Sequence, residues 1–105
     1  MNVNSGLRLS EYEISTIKNT ILNFDDNAEI YIFGSRTDIS KKGGDIDIFV
    51  ESNITKSNLL DFKLKVLTEL EIKLGERKID LVVKPSDFDE IIPIYEIAKT
   101  QGVKL

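Results

Sequence analysis

The sequence predicts one α/β domain, α+β in its layering: a small mixed sheet of three to four strands with helices packed on it. Three observations predict it. At 105 residues, 41% hydrophobic and 30% charged, the chain can build one core and is too short for two, so residues 1–105 read as one domain. Helical apolar periodicity alternates with short β-branched runs. The unit from Asp45 to Val83 reads strand, helix, strand, which favours a right-handed parallel crossover.

Ser10-Glu11-Tyr12-Glu13 forms a capping box, and Ile14, Ile17, Ile21 and Phe24 then recur at helical spacing, so a helix spans about 11 to 23. Asp25-Asp26-Asn27 breaks it. Glu29 to Phe33 is a strand, Gly34 to Gly44 a connection, and Asp45 to Glu51 the second strand. The short link suits an antiparallel pair. Ser57 is the expected cap of a longer helix with an apolar stripe of Leu60, Leu64, Leu67, Leu70 and Leu74, stopped by Gly75. Lys78 to Val83 is a third strand. After Pro85, Ser86 is placed to cap a short turn through Ile91. Pro93 opens a last helix that Gly102 ends.

Composition excludes several chemistries. There is no cysteine and no histidine, which removes disulfides, thiolate sites, Ser-His-Asp catalysis and histidine-bound zinc. Any chemistry must use carboxylates, Lys, Arg, Ser, Tyr and a hard metal. No apolar run approaches a membrane span, no secretory signal is visible at the N-terminus, and the cysteine-free chain fits a cytoplasmic location. A net charge of −4 argues against nucleic acid as the main partner.

Residues 29 to 50 carry the chemical signal. An apolar strand runs into Gly34-Ser35, where backbone N–H groups can cradle phosphate, and the next strand opens with Asp45-Ile46-Asp47. Alternation puts both acids on one face, where they repel unless a cation lies between them. Asp80 interrupts the apolar run Ile79 to Val83 and lies on the face opposite Ile79, Leu81 and Val83. If the third strand neighbours the second, three oxygen ligands converge, a set suited to Mg²⁺ or Mn²⁺. Plainer roles exist for each residue. Asp45 and Asp47 fit a solvated sheet face, Asp80 an ion pair with Arg36 or a lysine, Asp38 a turn, Lys41 and Lys42 a solvated loop, and Tyr12, Tyr31 and Tyr95 packing. A Walker-type loop is absent, the acids lack EF-hand spacing, and the acidic pair opens a strand where a phosphoaspartyl nucleophile would end one.

Gly34-Ser35, nine residues, Asp45-Ile46-Asp47 and a later strand Asp80 together resemble the DNA polymerase beta-like nucleotidyltransferase superfamily; Phe33-Gly34-Ser35-Arg36 and the short length are similar to its minimal nucleotidyltransferase branch. Many members space the two motifs by ten residues, so the loop here is one shorter. The resemblance implies a nucleotidyltransferase, an enzyme that moves NMP, AMP above all, from ATP or another NTP to a hydroxyl with two Mg²⁺ ions. Gly34, Ser35 and Arg36 would bind the nucleotide, and Asp45, Asp47 and Asp80 would be the catalytic metal ligands. It also implies an acceptor surface on another chain, a tyrosine of a partner HEPN-type toxin that this chain would neutralise as antitoxin, and is compatible with a homo-oligomer. A non-catalytic antitoxin that acts by contact and a small-molecule (aminoglycoside-type) nucleotidyltransferase stay open beside it.

Overall fold

A computed structural model describes residues 9–33, 46–75, 78–88 and 92–105. Among them the chain forms α1 (Glu11–Phe24), β1 (Glu29–Phe33), β2 (Ile46–Glu51), α2 (Leu59–Leu74), β3 (Ile79–Lys84), α3 (Pro93–Gln101) and β4 (Val103–Lys104). The sheet order is β3-β2-β1-β4. The pairings follow the sequence expectation: β1 with β2 antiparallel, β2 with β3 parallel. The two-residue β4, too short to carry an alternating pattern, adds an antiparallel edge to β1.

Helix α1 starts where the capping box predicts. The Glu13 N–H donates to Ser10 Oγ at 3.1 Å and the Ser10 N–H donates to a Glu13 carboxylate oxygen at 2.8 Å, satisfying two otherwise orphaned donors. Ile14, Ile17 and Ile21 turn inward and are buried, each contributing about 1.5–3 kcal/mol. Phe24, the fourth member of that series, stays partly exposed at the helix end.

Helix α2 differs from expectation at both its start and its stripe. Ser57 lies inside a 3₁₀ turn, Lys56–Asn58, that leads into the helix, and its hydroxyl meets that of Thr55 at 3.0 Å instead of capping. The buried residues are Phe62, Val66 and Leu70, while Leu60 and Leu64 are 70% and 55% exposed. Positions two apart on a helix are separated by about 200°, so Leu60 and Leu64 point away from the side that Phe62 and Val66 bury. Leu70 is buried and Leu67 and Leu74 pack partly against the core, so the leucine series holds in its C-terminal half and turns to solvent at Leu60 and Leu64. Gly75 ends the helix as expected, with φ of 84°, in the left-handed region that favours glycine.

The sheet has apolar groups on both faces. Ile30 and Ile32 of β1, Ile46, Ile48 and Val50 of β2, and Leu81 and Val83 of β3 form one core with α1 and α2. On the other face Tyr31, Phe33 and Phe49 meet Tyr95 and Ala98 of α3. Strand β2 is therefore covered on both sides over most of its length, as its near-continuous apolar sequence requires.

Two polar ties join the loops at the end of the sheet where β1 begins and β2 and β3 finish. Asp25 at the end of α1 accepts from Ser52 Oγ at 2.6 Å, the Asn53 N–H at 2.7 Å and the Asn27 N–H at 3.1 Å. Burial pushes its carboxyl up, but these three donors outweigh it and hold Asp25 below the ordinary carboxylate value. Asp87 accepts from the Lys56 N–H at 2.9 Å, and the Ser86 N–H donates to the Ile54 carbonyl at 2.8 Å. Ser86 thus serves the 52–58 loop; the short turn expected through Ile91 runs into residues 89–91, outside the described residues.

Candidate functional site

Strand register arranges the α3-covered face of the sheet in three rows across β1, β2 and β3. The first is Phe33, Asp47, Asp80; the second Tyr31, Phe49, Val82; the third Glu29, Glu51, Lys84. Each row follows from the two-residue period of the strands: once Phe49 faces α3, Asp47 and Glu51 must share its side. An acidic pair thus occupies one end of this face, an aromatic band its middle and a mixed-charge row the other end.

Asp47 and Asp80 are direct Cα partners at the starts of two parallel strands, which lie about 4.8 Å apart. Asp47 is half-buried and Asp80 exposed. The ion pair considered for Asp80 does not form among the described residues. Asp47 also stands opposite Phe33, the last residue of β1, after which the sequence continues directly into Gly34-Ser35. Of the predicted site residues, the structure brings together Asp47 and Asp80. Gly34, Ser35, Arg36 and Asp45 lie outside the described residues, as do Asp38, Lys41 and Lys42. Among the described residues no group of three acidic side chains gathers as a complete metal site. The pair itself fits a divalent hard cation: two carboxylates on one face, reachable from solvent, with no histidine or cysteine in the chain to favour a softer metal.

The aromatic band flanks this corner on the same face of the sheet. The Phe49 ring, fully buried, lies 5.8 Å from Tyr31 and 5.2 Å from Tyr95, and Phe88 meets Tyr95 edge-on at 5.9 Å. Such pairs add about 0.5–1.5 kcal/mol beyond their area. Tyr31 and Tyr95 are packing residues, as expected; Tyr12, assigned the same role, is 64% exposed because it sits on the outer side of α1. Burial raises the Tyr95 hydroxyl above its ordinary value. Burial and the neighbouring Glu29 carboxylate do the same for Tyr31, whose hydroxyl donates to Glu29 at 3.3 Å. Both phenols stay protonated in neutral solution.

Helix α3 crosses this face diagonally. Near its start Tyr95 rests on Phe49 and Phe88. At its end Gly102 comes against β1: a Cβ there would lie 2.9 Å from the Ile32 carbonyl oxygen and 3.2 Å from Phe33 Cβ, and would collide with the Ala98 carbonyl. Lys99 reaches the third row, its ammonium 3.2 Å from Glu51, whose hydrogen bond and charge raise the lysine above its ordinary value. Two roles escaped the sequence reading. Gly102 was legible as a helix stop but not as the contact that lets α3 approach β1. The aromatic layer spans three segments, so no local spacing announces it.

A family model described as Nucleotidyltransferase domain matches residues 14–101, from the first turn of α1 to the last residue of α3 and including both acidic strands. The comparison with curated proteins returns no match.

Proposed function

The chain belongs to the nucleotidyltransferase domain family, and from that premise we propose that it transfers a nucleoside monophosphate, AMP above all, from an NTP to a hydroxyl acceptor on a second molecule. The observation that carries the reading is the in-register pair Asp47 and Asp80, set beside the strand that leads into Gly34-Ser35.

Asp45 and Asp47 would hold two divalent ions, and Asp80 would bind the one near the attacking hydroxyl. Bound there, two Mg²⁺ ions would neutralise the triphosphate and lower the pKa of the attacking hydroxyl. Gly34 would let the backbone approach the phosphates, Ser35 would donate to them, and Arg36 would add positive charge. Asp80, solvent-exposed, can receive the acceptor's proton. The hydroxyl oxygen bonds to the α-phosphorus in line with the leaving group, the bond from that phosphorus to the bridging oxygen breaks, and pyrophosphate departs with its electron pair. The role needs no histidine, consistent with a chain that has none.

The acceptor we propose is a tyrosine of a HEPN-type toxin, with this chain as its antitoxin. Support comes from the resemblance and from an acidic balance of −4 that suits a basic ribonuclease. The test is incubation with ATP labelled at the α-phosphate, Mg²⁺ and the candidate toxin. Label on the toxin that an Asp47→Asn protein fails to transfer supports the reading. Neutralisation that survives in Asp47→Asn cells would instead establish the contact-only antitoxin, and transfer to an aminoglycoside without any protein acceptor the small-molecule enzyme.

A further inference from the structure

The flank of α3 that faces the acidic corner carries no charge, unlike its opposite flank. Side chains advance about 100° per residue around a helix. Taking Tyr95 as the origin, Lys99 lies about 40° and Glu96 about 100° to one side. Ile94, Gln101 and Ile97 lie about 100°, 120° and 160° to the other. The Lys99–Glu51 contact fixes which flank looks toward the mixed-charge row. The diagonal course from Phe88 and Phe49 to Ile32 and Phe33 then directs the opposite flank to the corner that holds Asp47 and Asp80.

Ile94 is half-buried against the aromatic band, which leaves Ile97 and Gln101 as the open part of that flank. Ile97 is 44% exposed, and Gln101 is exposed beside the Gly102 contact. An apolar surface ending in an amide, beside two carboxylates suited to a metal-bound triphosphate, matches the other half of a nucleotide: a flat, largely apolar ring with hydrogen-bonding edges. A glutamine amide both donates and accepts, so it can pair with such an edge.

We infer that Ile97 and Gln101 form the nucleoside-binding wall of the site, Ile97 packing on the base and Gln101 reading its edge. The inference rests on the proposed nucleotide transfer. It assigns base contact to side chains some distance in sequence from the acidic motif, and it separates a charged flank of α3 that holds the helix to the sheet from an uncharged one that meets substrate.

Equilibrium binding of MgATP and of magnesium tripolyphosphate, which has no nucleoside, tests it on the parent, Ile97→Ala, Gln101→Ala and Asp47→Asn proteins. Both α3 side chains are exposed, so circular dichroism should report an unchanged fold. Ile97→Ala is expected to weaken MgATP roughly three- to tenfold and leave tripolyphosphate unchanged. Gln101→Ala should shift the preference among ATP, GTP, CTP and UTP, and Asp47→Asn should weaken both ligands. Parent-like affinity of both α3 variants for every nucleotide overturns the inference alone. So does an Ile97→Ala protein that binds MgATP normally yet no longer modifies its acceptor, since the flank would then be an acceptor surface. A parent protein that binds tripolyphosphate but no nucleotide, or neither ligand, overturns the transferase reading as well.

Discussion

Asp47 and Asp80 stand opposite each other in register on parallel strands, on the face that α3 covers, in the row that Phe33 continues on β1. Neighbouring carboxylates on adjacent strands repel. Under the proposed function a cation held between them would offset that repulsion, and this makes the pair testable without knowing the acceptor.

Replacing Asp80 by Asn should leave folding intact, because the side chain is exposed, and relieving the repulsion should hold or slightly raise the melting temperature. Nucleotide transfer should fall about 10²–10⁴-fold. Pyrophosphate release and a thermal melt on the same preparation measure both. A variant that keeps parental turnover removes Asp80 from the mechanism.

Divalent metal should stabilise the folded chain. A ligand at ten times its dissociation constant adds about 1.4 kcal/mol, and for a domain of this size each kcal/mol moves the melting temperature by about 4–8 °C. Titrating Mg²⁺ during thermal denaturation should therefore raise the midpoint by several degrees, and EDTA should reverse it. The Asp47→Asn protein should not respond; an equal response there would place the ion elsewhere.

Asp25 should make stability fall in acid. Its folded-state carboxyl is held below the ordinary value of 3.8 by its donors against the opposing effect of burial. The stabilisation is therefore complete above pH 3.8 and disappears as pH drops through the lower folded value. Asp25→Asn should cost about 1–3 kcal/mol near neutrality, with the gap to the parent closing below pH 3.8. Urea melts at several pH values would show it; a constant gap across that range would contradict the linkage.

Two glycine substitutions should separate local strain from a transmitted displacement. Gly75→Ala meets no atom within 4 Å but must adopt a φ of 84°, costing about 1–2 kcal/mol at the far end of α2. Gly102→Ala drives a methyl against the Ile32 carbonyl and Phe33, costing about 1–3 kcal/mol and pushing α3 off β1. At matched stability, achieved with added osmolyte, Gly75→Ala should regain parental transfer and Gly102→Ala should not. Equal recovery would show that the Gly102 contact serves folding alone.

The sequence was most informative where neighbouring residues decide structure. The capping box at Ser10, the strand Glu29–Phe33, the Pro93 start and the Gly75 and Gly102 stops all appear where local chemistry put them. The third strand was recognised and shifted by a single residue, because the Lys78 carbonyl accepts from the Ile46 N–H before the ladder proper begins. The stripe on α2 held at Leu67, Leu70 and Leu74 and failed at Leu60 and Leu64, because leucines at mixed spacings of three and four define a helix without fixing the centre of the side that is covered. Asp47 and Asp80 could be paired from sequence because alternation and a parallel crossover leave them few other arrangements. Gly34, Ser35, Arg36 and Asp45 rest on the motif and its resemblance. The α3 flank was invisible because its meaning depends on Lys99 reaching Glu51, forty-eight positions away in sequence.

The alternation along β2 has an evolutionary corollary. Ile46, Ile48 and Val50 answer to α1 and α2, while Asp47 answers to solvent and to whatever arrives there. A saturation scan of this strand should thus show Ile46, Ile48, Val50 and the buried Phe49 selected for persistence of the protein in the cell, and Asp47 as the interruption in that run whose replacement leaves the fold in place. Under the proposed function, because Asp47 sits at the start of the strand and the buried run follows it, a lineage could change what is bound at this corner without first rebuilding the interior.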